Sequence, residues 1–216
     1  MADFESARGS MVDNQLRTSG ITDRRILAAM HAVPRELFVA PERQSVAYID
    51  DVQWLGNTGR FISSPATFAK LVQLAEIEPT DTVLDIGPAS GYSTAVLARI
   101  ASSVVGVESD AELAAVASQN FSGLSIANAR IVAGNVGQLG KIGFDVIVVE
   151  GALDAVPQAF FALLNDGGRL VALIRGSGVA VANVFVKTGQ AIAARAEFNA
   201  TLPPLFAAPS TVEFVF

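Results

Sequence analysis

The sequence contains no cysteine and only one histidine among its 216 residues. Without cysteine, the chain has no disulfide, no thiolate nucleophile and no sulfur-ligated metal site. A single histidine also argues against a histidine-based zinc site and a Ser-His-Asp triad. That residue, His31, lies on the flank of a predicted helix with no acid or ligand apparent beside it, so we expect a surface or packing role. The composition therefore favours chemistry without a bound metal.

Positive charge is also scarce, since 15 Lys and Arg stand against 21 Asp and Glu, and the formal net charge is -6. This balance disfavours a nucleic-acid partner, because clustered cations supply most of such binding. No apolar run is long enough to span a bilayer, and residues 1–20 lack the apolar centre of a signal peptide. We expect a cytoplasmic protein with no nucleic-acid and no membrane partner. The hydrophobic fraction of 51% leaves a homo-oligomer open.

The first 80 residues predict two helices and a long irregular loop. Apolar residues recur at helical spacing over 4–16 and again over 22–33, where Pro34 ends the pattern. The segment 48–65 fits no regular element and contains glycines, acids and the only tryptophan. Because a long loop in a compact domain is more often functional than idle, we expect this segment to cover a site.

From about residue 80, short apolar runs alternate with helical stretches, which predicts a mostly parallel sheet with helices on both faces. The predicted strands are Thr82–Ile86, Ser103–Glu108, Ala129–Ala133, Phe144–Val149 and Arg169–Ile174. The predicted helices are 92–100, 111–120 and 156–164, and a turn at Gly167-Gly168 follows the last of them. Runs at 179–187 and 191–198 predict antiparallel strands or a hairpin that closes the sheet.

We interpret the chain as a single domain with three parts. Residues 1–80 would hold the N-terminal helices and an active-site loop, 81–175 the cofactor-binding core, and 176–216 the closing strands.

The segment TVLDIGPASGY, residues 82–92, is the most informative motif. An apolar strand that breaks at Gly87 exposes backbone N–H groups at the start of the next helix, which suits a nucleotide-like cofactor. Asp85 precedes that glycine by two residues, where a carboxylate would repel a pyrophosphate. The same carboxylate would hold a cofactor that carries an amino acid, such as S-adenosylmethionine.

Polar residues at the ends of neighbouring strands extend this candidate site, because ligands of open parallel sheets bind at the carboxyl ends of the strands. Glu108 lies 23 residues beyond Asp85, at the position where an acid accepts hydrogen bonds from ribose hydroxyls. The third predicted strand is followed by Gly134-Asn135 and the fourth by Glu150. Each residue also has a structural interpretation, as a turn cap, a solvated charge or a turn glycine.

Two other ligand classes fit these motifs less well. A nicotinamide dinucleotide fold uses G-x-G-x-x-G after an uncharged strand end, whereas this chain has Gly87-x-Ala89-x-Gly91 after an acid. A nucleic-acid methyltransferase would end its fourth strand in an Asn/Asp-Pro-Pro-aromatic element, and here the residues are Glu150-Gly151-Ala152.

Residues across most of the chain resemble the protein-L-isoaspartate O-methyltransferase family, within the class I S-adenosylmethionine-dependent methyltransferases. The elements specific to that family are VPRELFV at 33–39 and Ile62-Ser63-x-Pro65. Broader methyltransferase elements are VLDIG at 83–87, Ser90-Gly91-Tyr92, Glu108 and GGRLV at 167–171.

This resemblance implies an α/β, Rossmann-like class I methyltransferase fold and S-adenosyl-L-methionine as the cofactor. It implies that the free carboxylate of an isoaspartyl residue, in a damaged peptide or protein, is converted to a methyl ester. Ser63 matches the family's catalytic serine; its alternative role is that of a turn or helix-cap serine. The implied cofactor-binding residues are Ile62, Ser63, Asp85, Gly87, Ser90, Gly91, Glu108, Asn135, Val136 and Glu150.

Three departures from the family pattern leave other functions open. Ala89 stands where the pattern has a glycine, Asn135 replaces an acid, and Arg60-Phe61 replaces Gln-Thr before Ile-Ser. At Asn135 we expect cofactor affinity to fall by roughly tenfold to a hundredfold at most. The alternatives are a relative that binds the cofactor without isoaspartyl activity, and a methyltransferase with a different small-molecule acceptor.

Overall fold

The computed structural model describes residues 3–176 and 178–206. Two helices, α1 (Phe4–Met11) and α2 (Arg24–Ala32), form the N-terminal layer. Asp3 and Asp23 precede them, and each carboxylate accepts a hydrogen bond from a first-turn N–H group. A π-helical turn over Val12–Leu16 continues α1. Both predicted N-terminal helices are therefore present.

A small hairpin follows, formed by β1 (Gln53–Trp54) and β2 (Phe61–Ile62) in antiparallel pairing. It leads directly into α3 (Pro65–Leu74). The prediction that 48–65 contains no regular element is wrong for these two strands. Strands of two residues are too short to produce a visible alternation of apolar and polar residues. The pairing fixes the position of the segment between the two strands.

The central sheet has seven strands in the order β5-β4-β3-β6-β7-β8-β9. These strands are β3 (Thr82–Ile86), β4 (Ser103–Glu108), β5 (Ala129–Ala133), β6 (Phe144–Leu153), β7 (Leu164–Ile174), β8 (Val181–Thr188) and β9 (Ala191–Asn199). Strands β3 to β7 pair in parallel, whereas β8 and β9 add antiparallel strands at one edge. The predicted fold, a mostly parallel sheet with antiparallel closing strands, is confirmed.

The remaining helices are α4 (Tyr92–Leu97), α5 (Ala111–Gly123) and α6 (Gln158–Ala162). The predicted helix over 156–164 is too long at both ends. Pro157 lies at the N-cap of α6, and the chain enters β7 at Leu164. The fourth core strand was predicted to end at Val149, but β6 continues through Leu153 because its last residues pair with β7. Glu150 therefore lies within the strand.

The predicted turn at Gly167-Gly168 lies inside β7. The pairing with β6 jumps from Phe144 opposite Leu164 to Val146 opposite Arg169, so the residues between form a local bulge. Gly167 has φ +77°, a conformation that favours glycine. The turn is therefore present, but within the strand rather than before it.

Alternate residues of each strand enter two hydrophobic clusters, one on each face of the sheet. Val83 and Val146 belong to the cluster under the N-terminal helices, and Leu84 and Ile147 to the cluster that includes Phe160 of α6. Both faces are thus covered, which explains why the central strands read as continuous apolar runs. Over residues 3–176 and 178–206, none of the helices has the length and apolar character to cross a membrane.

Candidate active site

Ser63 follows the hairpin strand β2 and is almost fully buried at 2% exposure. Its hydroxyl donates to a carboxylate oxygen of Glu150 on β6 at 3.2 Å. Its carbonyl accepts from the guanidinium of Arg35 at 2.7 Å. Arg35 also donates to the carbonyl of Ala47 at 2.7 Å and lies 4.7 Å from the ring centre of Tyr92. Arg35 of the VPRELF segment therefore fixes the backbone of Ser63 through its carbonyl.

Glu150 and Asp85 form a pair of buried acids beside Ser63. Asp85 accepts from the hydroxyls of Ser93 and Thr94 at 2.7 and 2.6 Å. Burial raises the pKa of Asp85 to about 7, against the opposing effect of those hydroxyls. Burial, and then the nearby Asp85 carboxyl, also raise the pKa of Glu150 well above its usual value. Both acids are therefore easier to protonate than exposed carboxyls.

Glu108, at the end of β4, is buried in a different environment. One oxygen accepts from Arg60 at 2.9 Å and from the N–H of Ala89 at 2.7 Å. The other accepts from the N–H of Asp110 at 3.0 Å and the hydroxyl of Ser109 at 3.3 Å. The carboxylate thus has a direct ion-pair partner, Arg60, which reaches it from the β1–β2 hairpin.

A cavity of about 90 Å³ lies next to this ion pair, at the carboxyl ends of β3, β4 and β5. This volume is below the roughly 300–1,000 Å³ that is typical of small-molecule sites. Its lining includes Arg60, Gly87, Asn135, Val136, Phe160 and Leu205. A Cβ atom at Gly87 would overlap the side chains of Leu205 and Arg60, so these two residues fill the space in front of the glycine turn.

The structure divides the predicted site residues into three groups. Ser63, Asp85 and Glu150 lie together as buried polar groups, and Gly87, Glu108, Asn135 and Val136 lie at or beside the cavity. The third group consists of Ile62, Ser90 and Gly91, whose observed contacts are structural. Their roles toward a cofactor stay predictions.

The third group has clear packing roles. Ile62 pairs with Gln53 in the hairpin, and the Ser90 hydroxyl donates to the carbonyl of Phe38 at 2.6 Å. Gly91 has φ +96°, and a Cβ there would come within 2.8 Å of Ala117 on α5. This glycine therefore permits close packing of the turn against the neighbouring helix.

Asn135 caps the short 3₁₀ turn Val136–Leu139. Its side chain accepts from the N–H of Gly137 at 2.9 Å, while Gln138 accepts from the Asn135 N–H. Ala89, the other departure in the motif, has φ +53° and is fully buried. An alanine in this left-handed conformation costs roughly 1–2 kcal/mol, which explains why glycine is the usual choice there.

Sequence reasoning missed the contact between Arg60 and Glu108 and the position of Leu205. The sequence signal at Arg60 was only that it replaces an uncharged residue of the family pattern. Leu205 lies 145 residues from Arg60, whose guanidinium donates to its carbonyl at 2.7 Å. No local pattern predicts a contact over that separation.

The donor set suits a cofactor that carries an amino acid and a ribose. One oxygen of Asp85 and one of Glu150 are buried without a partner among the described residues, which suits a hydrogen-bond donor such as an amino group. Glu108 offers a carboxylate to hydroxyls, although Arg60 now contacts it. Within the described ranges, no group of three His, Asp or Glu side chains is arranged to hold a metal ion.

Known proteins provide an independent comparison. The family model for protein-L-isoaspartate(D-aspartate) O-methyltransferase matches residues 7–205. A protein-L-isoaspartate O-methyltransferase from Koribacter versatilis is 38% identical over 170 residues, covering 78% of this chain and 76% of that protein. Protein-L-isoaspartate O-methyltransferase 1 from Syntrophobacter fumaroxidans is 37% identical over 191 residues, covering 88% of each chain.

Solved structures agree with the fold. A crystal structure from Plasmodium falciparum, of a protein-L-isoaspartate O-methyltransferase with S-adenosyl-L-homocysteine, has a TM-score of 0.78 at 22% identity and covers 95% of this chain and 99% of that one. A second structure with the family name has the same TM-score at 26% identity, covering 91% of this chain and 65% of that one. The family-model match over residues 7–205 includes both the hairpin with Ser63 and the strands with Asp85 and Glu108. The chain therefore belongs to the protein-L-isoaspartate(D-aspartate) O-methyltransferase family.

Proposed function

We propose that this protein transfers the methyl group of S-adenosyl-L-methionine to the free carboxylate of isoaspartyl residues in damaged proteins. Membership of the family supports the reaction and the cofactor. The observation that carries the proposal is the position of Ser63, buried and hydrogen-bonded to Glu150 at the carboxyl end of the sheet. The active-site serine of the family pattern therefore lies beside the buried acids at the strand ends.

S-adenosyl-L-methionine supplies an electrophilic methyl group on a sulfonium. The residues that would hold it are Asp85 and Glu150 at the amino-acid end, Glu108 at the ribose, and Asn135 and Val136 at the far end of the cavity. The unpartnered oxygens of the two buried acids support this assignment, because a buried acceptor without a donor is costly. These roles are proposals for the individual residues.

The acceptor needs no general base, since a carboxyl with a pKa near 4 is already ionised at neutral pH. The protein must instead hold this carboxylate in line with the methyl group, a contribution of roughly 7 kcal/mol or more. Ser63 would donate to the carboxylate and orient it. Glu150 would favour an anion beside it only while protonated, and burial raises its pKa, which makes that protonation easier. An ionised Glu150 would repel the substrate.

The substrate would be an isoaspartyl-containing peptide or protein. The cytoplasmic location and a homo-oligomeric state are further proposals, which rest on the composition of the sequence alone. Size-exclusion chromatography with light scattering would measure the oligomeric state directly.

The function is tested by transfer of a labelled methyl group to an isoaspartyl peptide, with the same peptide carrying normal aspartate as the control substrate. Ser63→Ala should lower kcat/KM by about tenfold to a hundredfold, because the carboxylate loses its orienting donor. Ser64→Ala is the matched control, since its hydroxyl contacts Thr67 at the start of α3. No transfer by the wild type, or equal loss in both variants, would contradict the proposal.

A second candidate function is favoured by the ion pair between Arg60 and Glu108. A relative that binds the cofactor without methylating isoaspartyl residues would tolerate a residue that restricts the ribose position. Such a protein would bind S-adenosyl-L-homocysteine in calorimetry while the labelled peptide stays unmodified at every enzyme concentration. The two measurements together separate the candidates.

A further inference from the structure

The carboxylate of Glu108 has no free acceptor position. It accepts four hydrogen bonds, from Arg60, the Ala89 N–H, the Asp110 N–H and the Ser109 hydroxyl. A carboxylate offers about four such positions, so a ribose hydroxyl must replace one of these donors. Two of them are backbone groups fixed by the turns after β3 and β4. The other two are side chains: the Ser109 hydroxyl is the weaker donor at 3.3 Å, whereas Arg60 comes from a separate element and also fills the space in front of Gly87.

The guanidinium of Arg60 joins three parts of the chain. One nitrogen donates to both Glu108 and the carbonyl of Gly87, at 2.9 Å each, and another donates to the carbonyl of Leu205 at 2.7 Å. Its Nε is buried without a partner among the described residues. Arg60 is 8% exposed, so this contact is internal and not a surface ion pair. The hairpin is thereby tied to the glycine turn and to the C-terminal segment.

Leu205 is held in front of the glycine turn by its own backbone. The N–H of Leu205 donates to the carbonyl of Ala152 at 3.0 Å, and the N–H of Ala152 donates to the carbonyl of Pro203 at 2.9 Å. The segment thus adds to the carboxyl end of β6. A Cβ at Gly151 would lie 2.8 Å from the Leu205 backbone, so glycine permits this close approach. The leucine side chain then covers Gly87.

We infer that Arg60 and Leu205 form an internal closure of the cofactor site, and that the cofactor binds only after Arg60 leaves Glu108. This inference rests on the proposed function, since it concerns the same cofactor. Because only open molecules bind the cofactor, the apparent affinity equals the affinity of the open state multiplied by the fraction of molecules that are open. Arg60 therefore sets the affinity for the cofactor and the rate at which it enters.

The test is calorimetric titration with S-adenosyl-L-homocysteine. Arg60→Gln keeps a similar length but removes the charge, and it should bind at least tenfold more tightly than the wild type. Leu205→Ala opens the space before Gly87 without altering the ion pair, and should tighten binding about threefold to tenfold. Arg43→Gln is the control, since Arg43 contacts Gln53 of the same hairpin and should leave affinity within twofold.

The unliganded variants provide a second readout. Arg60→Gln leaves Glu108 buried without its cation, so the melting temperature without ligand should fall while the rise on adding ligand should grow. If the role of Arg60 were purely structural, the substitution would lower both the melting temperature without ligand and its rise on adding ligand. If Arg60→Gln does not fold, Leu205→Ala carries the test by itself.

Tryptophan fluorescence follows the opening, because Trp54 is the only tryptophan and packs against Phe61 with ring centres 5.5 Å apart. In stopped flow, the wild-type binding rate should reach a plateau with increasing ligand, whereas Arg60→Gln should remain linear over the same range.

Each outcome decides the inference. Tighter binding in Arg60→Gln, or binding detected only in the variants, supports the closure. Equal or weaker binding in Arg60→Gln, or in Leu205→Ala if Arg60→Gln does not fold, overturns the closure when the wild type binds, and leaves the proposed function intact. Absence of binding in all four proteins overturns the proposed function, and the closure with it.

Discussion

Arg60 and Ser63, at the hairpin, each contact a buried acid, and the two acids have different kinds of partner. At the end of β4, Glu108 is neutralised by the guanidinium of Arg60 at 2.9 Å. Ser63, three residues after Arg60, contacts Glu150. Among the described residues, Glu150 and Asp85 accept hydrogen bonds from hydroxyls alone. The first site is an ion pair within the protein, whereas burial raises the pKa of both acids at the second. A ligand at the first must compete with Arg60, whereas at the second its binding depends on pH.

The largest expected effect comes from breaking the charge pair at the first site. Glu108→Ala leaves Arg60 buried without its partner and should lower the free energy of unfolding by about 3–5 kcal/mol in urea titration. Arg175→Gln breaks the exposed pair with Asp154 and should cost about 1 kcal/mol or less. The double variant Arg60→Gln/Glu108→Ala should recover part of the loss. Equal effects at both pairs would show that Arg60 and Glu108 are not coupled.

The second site should make stability fall with pH. Asp85 has a pKa of about 7 in the folded protein and 3.8 as a free side chain, so the unfolded chain loses this proton first. The contribution of Asp85 to the free energy of unfolding is fully present below pH 3.8. It falls by roughly 3–4 kcal/mol as the pH rises toward 7. Asp85→Asn should reduce this slope and leave the part that comes from Glu150. The measurement is the free energy of unfolding of both proteins from pH 4 to 8, and a constant difference would contradict the assignment.

The smallest effect concerns the turn between the two sites. Ala89→Gly relieves a left-handed alanine at φ +53°, while glycine adds chain entropy to the unfolded state. We expect a net gain of about 0.5–1 kcal/mol in the free energy of unfolding. Ala98→Gly at the C-cap of α4, where φ is −62°, is the control and should give no gain. A loss at Ala89 equal to that at Ala98 would show that the turn is not strained.

Each of the two sites could be predicted only in part from the sequence. The strand-end positions of Asp85 and Glu108 follow from local alternation, and Ser63 follows from the family pattern. The hydrogen bond between Ser63 and Glu150 joins residues 87 positions apart, and that between Arg60 and Leu205 joins residues 145 apart. Such contacts depend on how the hairpin and the C-terminal segment dock on the sheet. Residue spacing along the chain carries no information about that docking.

The ends of β6 and α6 could not be predicted from local sequence patterns either. The apolar run of β6 was predicted to end at Val149, whereas pairing of Ala152 and Leu153 with β7 extends the strand. Glu150 therefore lies within the sheet, where burial raises its pKa. Its placement as a buried acid depends on tertiary pairing.

Closure of the cofactor site by Arg60 is tested most directly by steady-state methyl transfer to an isoaspartyl peptide, with the concentration of S-adenosyl-L-methionine varied for the wild type and Arg60→Gln. We expect KM for the cofactor to fall at least tenfold in the variant while kcat stays within about threefold. An unchanged or higher KM in the folded variant would contradict it.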